Sequence, residues 1–246
     1  MREAGYLATD HDPTMRLSFR TFLAATAITL FTGCLTIEEN YTFKKNGSGT
    51  MEYVIDLSEM GELMKSIEGL GDSKDKSSMG DLGTMDMEEQ VEALKKIPGI
   101  KKVKLNNKKE WVQRLSFAFN DLDALNAALN TLLPDSTGAR HTFFAWEGNT
   151  LVRTNNRHAY ELGAGMAGAG EEEATEGEEE SLDMSSMLET MKYKYSFKFA
   201  DGVGNTTVAE GVKLETVGAK EVKMDTDFGV ISKDPLALDL RIPLNK

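Results

Sequence analysis

Between Met191 and Phe199 the chain alternates with a period of two. Tyr193, Tyr195, Phe197 and Phe199 point one way, and Lys192, Lys194, Ser196 and Lys198 the other. Successive side chains of a β-strand leave opposite faces, so this segment belongs to a sheet with one dry face and one wet face. The same period recurs near the start. Ile37, Tyr41 and Phe43 share one side of a first run, and Met51, Tyr53, Ile55 and Leu57 one side of a second, with Lys45-Asn46-Gly47-Ser48-Gly49 between them. Asn-Gly between two alternating runs predicts a hairpin, because both central turn positions tolerate positive φ. These glycines do not make a phosphate loop, since no Lys-Ser/Thr follows and the segment opens a strand.

Helical spacing appears between the strand pairs. Leu57, Met60, Met64, Ile67 and Leu70 form one stripe with Ser58 as expected N-cap; Met87, Val91, Leu94 and Ile97 form another, ended by Pro98-Gly99. A polar stretch, Gly71 to Gly83, separates them. Ile100 to Leu105, basic on its outer side, and a run carrying Trp111, Leu115, Phe117 and Phe119 predict two more strands. Asp121 then caps a helix with Leu122, Leu125, Ala128, Leu129 and Leu132 on one face, stopped by Pro134. His141 to Trp146 and Thr150 to Thr154 read as a hairpin around Gly148-Asn149. After the long strand, Val203–Val208, Lys220–Met224 and Leu236–Ile242 are expected strands, and Met184, Met187, Leu188 and Met191 a short helical patch before it. Strands in consecutive pairs with interspersed helices define an α+β protein, a mainly antiparallel sheet with helices packed on one face.

Composition narrows the function. Lys plus Arg is 28 against 40 for Asp plus Glu, a net charge of −12, which leaves no surplus of cations for a nucleic-acid partner. A single cysteine excludes an internal disulfide framework, and three histidines leave little for a histidine-built metal site. Asp225-Thr226-Asp227-Phe228-Gly229 opens like a calcium loop but lacks the later ligands, so a strand-ending turn is expected. His141 and His158 lie in no catalytic motif, and neither catalytic residues, metal nor cofactor are expected. From Glu161 to Glu180 a Gly/Ala run gives way to a Glu run, which cannot bury enough apolar surface to offset ordering; residues 161–187 are expected to be a solvated loop.

The amino-terminal residues read as an export signal. Met15-Arg16-Leu17-Ser18-Phe19-Arg20 is a cationic start, Thr21 to Thr32 an apolar run too short to span a bilayer, and Gly33-Cys34 a cleavage boundary. Residues 1–14 are polar and suit no export signal, so Met15 is the expected start. Phe31-Thr32-Gly33-Cys34 resembles the lipobox of bacterial lipoproteins, with Phe31 in place of the usual leucine. That resemblance implies cleavage after residue 33, a diacylglycerol on the Cys34 thiol, and attachment to a membrane through the lipid. Leu35, not an aspartate, follows the cysteine, which in Gram-negative sorting implies the outer membrane, facing the periplasm.

The layout is also similar to that of the LppM-type bacterial lipoproteins over roughly residues 34–133. A lipidated cysteine runs into a strand, a Gly47-Ser48-Gly49 turn and a second strand, with a later strand-to-helix junction from Leu115 to Leu125. The resemblance implies an α+β domain of the cell envelope, linked for some members to amphiphilic ligands, and carries no catalytic residues. The expected organisation is therefore a signal peptide (1–33), a lipid-tethered α+β region (34–160), the flexible loop (161–187) and carboxy-terminal strands completing the same domain (188–246). The expected function is non-enzymatic, binding an envelope protein or an amphiphile. The alternative is a periplasmic carrier of lipid or glycolipid, with Trp111, Phe117, Phe119, Tyr193, Tyr195 and Phe197 lining an apolar pocket.

Overall fold

The computed structural model describes residues 35–68, 87–168 and 184–245. The expected leader, Cys34, the polar stretch from Gly71 to Gly83 and the Glu run of 171–180 lie outside them. Both long alternating runs become central strands of one sheet. β1 (Thr36–Phe43) and β2 (Gly49–Asp56) form the expected hairpin, and β1 pairs on its other side with β7 (Lys192–Phe199). β3 (Ile100–Asn106) and β4 (Val112–Phe119) extend the sheet beyond β2, and β10 (Glu221–Asp227) and β9 (Lys213–Val217) extend it beyond β7. The order is β3-β4-β2-β1-β7-β10-β9, antiparallel except for β1 and β7, which run parallel. The fold is thus α+β with a mainly antiparallel mixed sheet.

A second layer covers the apolar face. It contains a smaller antiparallel sheet, β5 (Phe144–Glu147), β6 (Thr150–Arg153), β11 (Leu240–Asn245) and β8 (Gly202–Val203) in the order β5-β6-β11-β8. Helices complete it: α1 (Ser58–Glu68), α2 (Glu88–Lys95), α3 (Leu122–Leu132), α4 (Arg157–Gly168), α5 (Met184–Thr190) and α6 (Phe228–Lys233). Asp121 caps α3 as its sequence predicts, its Oδ1 accepting from the Ala124 N–H at 2.8 Å. Asp227 does the same for α6 at Val230, so the apparent calcium loop is a strand end and a helix cap. At the start of α1 the side chain that accepts is Asp56, from the Ser58 N–H at 2.9 Å, in place of the expected Ser58 cap.

Core side chains follow from the strand registers. Across the sheet one buried row runs Phe117, Met51, Tyr41, Phe197, Val222, and its neighbour Leu115, Tyr53, Glu39, Tyr195, Met224. Gly49 stands where a side chain cannot. A Cβ there would lie 2.0 Å from the Thr42 carbonyl oxygen and 2.5 Å from Phe119 Cζ. Because the nearest atom is backbone, Gly49→Ala is expected to destabilise the domain by about 3 kcal/mol, read as a lowered urea midpoint with unchanged slope.

Several segments depart from the sequence expectation, β9 among them, which no expected strand covers. Arg157–Gly168 is helical although its second half is Gly/Ala-rich, and Gly163 lets α4 approach Phe228, whose Cδ1 would be 3.0 Å from an added Cβ. The Leu236–Ile242 alternation does not make a strand from its start: Asp234 Oδ1 accepts from the Leu236 N–H, a turn leaves Leu236 65% exposed, and pairing begins at Leu240. Of Val203–Val208 only Val203 lies in a strand, as the second residue of β8, and Thr207 adds an isolated antiparallel bridge to Arg241. Trp111 precedes β4 with φ +64°, outside the alternation of that strand, and its indole lies over Gly61, where a Cβ would be 2.6 Å from the ring.

Candidate functional site

Glu39 is the unexpected residue of the core. Strand parity places it between Ile37 and Tyr41 on the buried face of β1, and it is 0% exposed. Burying a lone carboxylate is costly, so a partner is required. Arg153, also fully buried, supplies it from the end of β6 in the other layer, with Nη2 3.0 Å from Glu39 Oε2. Tyr41 and Tyr193 donate their hydroxyl protons to the same carboxylate. The rest of the guanidinium is matched as well: Nη1 donates to Tyr41 Oη at 3.0 Å, and Nε to Asn156 Oδ1 at 2.8 Å and Tyr195 Oη at 3.0 Å. Asn156 passes the chain outward, donating to Asp239 Oδ1 at 2.7 Å. Aromatic faces close the cage, the guanidinium carbon standing 4.7 Å from the Tyr195 ring centre and 4.9 Å from that of Phe144.

Electrostatics follow from this geometry. Burial works against the Arg153 charge, but the Glu39 carboxylate and the surrounding tyrosines hold it protonated well above the usual arginine range. Burial, reinforced by the nearby carboxylate, pushes Tyr41 and Tyr193 well above the ordinary phenol value. His158 Nε2 lies 3.0 Å from Tyr193 Oη. Since that hydroxyl donates to Glu39, it accepts from His158, which makes the imidazole the neutral Nε2–H tautomer. Glu39 Oε1 is 3.9 Å from Nε2, yet its charge is already spent on Arg153; burial and the Arg153 charge lower the His158 pKa to about 3. With every Glu39 and Arg153 contact internal and no exposed surface on either, the cluster ties the two layers together and offers a substrate no approach.

The six sequence-singled aromatics divide. Phe117, Phe119, Tyr193, Tyr195 and Phe197 are buried in the shared core, while Trp111 is half-buried against α1. Rings pack on rings there: Tyr41 and Phe197 stack at 5.1 Å, and Tyr193 and Tyr195 meet edge-on at 5.4 Å. His141 pairs with Asp135, Nε2 to Oδ2 2.9 Å, a partner the hairpin pattern does not reveal. Hydrogen bonds from Thr137 and His141 hold Asp135 well below the usual carboxylate range. Among the described residues no three histidine, cysteine or acidic side chains converge as metal ligands.

An open cleft of about 150 Å³ lies elsewhere, at the far end of β1 from Leu35. Phe43, Phe199, Trp146 and Leu244 form its apolar wall, and Lys44, Lys45 and Asp201 its polar rim, with Lys45 Nζ 3.2 Å from Asp201 Oδ1. Trp146 is 37% exposed and meets Phe43 edge-on at 6.4 Å. The tight β1–β2 and β5–β6 turns, with Gly47 at φ +80° and Gly148 at +60°, shape its mouth. Trp146 is therefore a partly exposed aromatic on the wall of an open, mixed-polarity cleft that is smaller than the roughly 300–1,000 Å³ of small-molecule pockets.

No family model matches the chain, and no curated protein does. Among solved structures, the chain is similar to the folded domain of LppM from Mycobacterium tuberculosis, determined by NMR. The two share 10% identity and a TM-score of 0.42, over 87% of this chain and 91% of that one.

Proposed function

We propose that this protein is a lipid-anchored component of a bacterial cell envelope, sorted to the outer membrane and facing the periplasm, whose domain binds and does not catalyse. The observation that carries this reading is where the fold begins. Leu35, the residue after the lipobox cysteine, is already 4% exposed, and its carbonyl accepts from the Lys192 N–H at 2.8 Å. β1 starts one residue later, in the middle of the large sheet. A leader ending at Gly33 can thus be removed without touching any described strand, and a lipid on Cys34 would join the sheet with no linker. No helix among the described residues is long and apolar enough to cross a membrane. Two or three acyl chains, at about 0.8 kcal/mol per buried CH₂, would anchor the protein durably.

In this arrangement the Phe43–Trp146 cleft stands about 25 Å from the anchor, the length of β1, and meets an envelope protein or the exposed part of an amphiphile. The carrier alternative, with lipid chains among Trp111, Phe117, Phe119, Tyr193, Tyr195 and Phe197, requires those stacked rings to part. Cys34→Ser is expected to move the protein from the high-salt-washed membrane fraction to the soluble fraction of its host while leaving its thermal midpoint unchanged. Undiminished membrane association of that variant would overturn the anchor.

A further inference from the structure

We propose that the outer side of the β3 edge is a surface for anionic lipid headgroups. Residues 95–109 carry seven lysines and no acidic residue, in a chain whose net charge is −12; Lys95 and Lys109 are paired with Glu92 and Asp56, at 2.6 and 3.8 Å. Elsewhere on the sheet's outer face cations are matched across strands. Lys194 faces Glu38 on one side and Asp225 on the other, Lys192 Nζ lies 3.6 Å from Asp227, and Lys198 Nζ lies 3.7 Å from Glu221. On β3 the match fails. Lys101 and Lys104 lie opposite Ala118 and Ser116, and among the described residues Lys101, Lys102, Lys104 and Lys108 reach no carboxylate within ion-pair distance.

The backbone arranges this concentration. Strict alternation over Ile100–Leu105 would send Ile100 and Leu105 to opposite faces. A bulge between Lys101 and Lys104 sets residues 102 and 103 against the single Phe117, with Lys102 at φ +55°. Ile100 and Leu105 then both turn toward the core, and Lys101 and Lys104 both turn outward beside Arg114. Lysines on an edge strand also deter edge-to-edge pairing. That role does not account for Lys108, which stands in the β3–β4 turn, and the opposite edge, β9, mixes Lys213 with Glu215.

A bilayer is the partner because of where the anchor would be. The inference rests on the lipid-anchored reading: three strand spacings of about 4.8 Å separate β3 from β1, and the registers set Lys104 level with Asn40 and Lys101 level with Thr42, so the lysines stand about 20–25 Å from the tethered end of β1. Tilting the domain toward β3 brings the lysines onto the membrane.

The test uses the mature chain with Cys34→Ser, so that no acyl chain contributes, and sedimentation with vesicles of phosphatidylglycerol and phosphatidylcholine in equal parts. Binding is expected at low salt, weakening as salt rises and absent on pure phosphatidylcholine. Lys101→Glu/Lys102→Glu/Lys104→Glu should reduce it about a hundredfold, whereas Lys194→Gln/Lys198→Gln should not. Glutamates protect an edge as lysines do, so the triple variant is expected to keep the parent's association state, checked by sedimentation velocity. Equal binding by the triple variant and the parent, no binding to anionic vesicles, or binding to soluble polyglutamate without binding to vesicles would each overturn the proposal. None of these outcomes bears on whether Cys34 is acylated.

Discussion

Arg153→Met is expected to destabilise the domain by about 3–5 kcal/mol, the largest effect of any single substitution considered. Methionine fills much of the volume of the arginine stem but strips the Glu39 carboxyl, at 0% exposure, of the guanidinium, leaving it the Tyr41 and Tyr193 hydroxyls. Asn156 Oδ1 and Tyr195 Oη also lose the Nε donor they share. Much of the cost is the buried carboxyl left without its partner and not the worth of the pair. Glu39→Gln/Arg153→Met is therefore expected to recover more than half of the lost stability, since a neutral amide can still accept from the tyrosines. Urea unfolding of the two single variants and the double variant gives the coupling directly. If the losses simply add, the two residues do not act as a pair.

The second large effect is on pH dependence. His158 is neutral in the fold, its pKa lowered by burial and by the Arg153 charge to about 3, against about 6.5 in an unfolded chain. Between those values the unfolded state binds the proton and the native state does not, so stability rises with pH across this window. His158 contributes its full share above about pH 6.5 and loses it as pH falls toward 3. At about 1.4 kcal/mol per pH unit, the loss is of order 4 kcal/mol by the lower end. Thermal midpoints from pH 7 to pH 4 should fall more steeply for the parent than for His158→Gln, which carries no titrating group and keeps an N–H for Tyr193. Parallel curves would mean that the imidazole is charged in the native protein.

Much of the sheet is legible in the residues because period-two patterning survives any tertiary context. Tyr193, Tyr195, Phe197 and Phe199 are all buried, as are Met51, Tyr53 and Ile55, and Asp121 caps the helix its position predicts. The parallel pairing of β1 with β7 is a different matter. It joins residues about 150 apart in the chain, and neither strand's own pattern names its neighbour. Helix α4 is hidden because Gly163 reads as a helix breaker, while in the fold it is the gap that admits Phe228. Leu236 and Leu238 mimic a strand until the Asp234 side chain turns the backbone.

The polar heart of the core was open to reading through parity alone. Ile37, Glu39, Tyr41 and Phe43 share one face, and a single acid among three large apolar residues announces a buried partner of opposite charge. Arg153 is harder to find. It closes a four-residue strand whose register with Leu240 and Phe144 is set by long-range packing. The cleft was not legible at all, because Phe43, Trp146, Phe199 and Leu244 come from four different elements that meet only in the folded chain.

Everything proposed about place and partner depends on the thiol one residue ahead of Leu35. Intact-mass analysis of the protein extracted with detergent from its own host tests it most directly. The account predicts a chain beginning at Cys34 and carrying the mass of a diacylglyceryl group, with or without a further acyl chain. A polypeptide that retains residues ahead of Cys34 with a free thiol would contradict it.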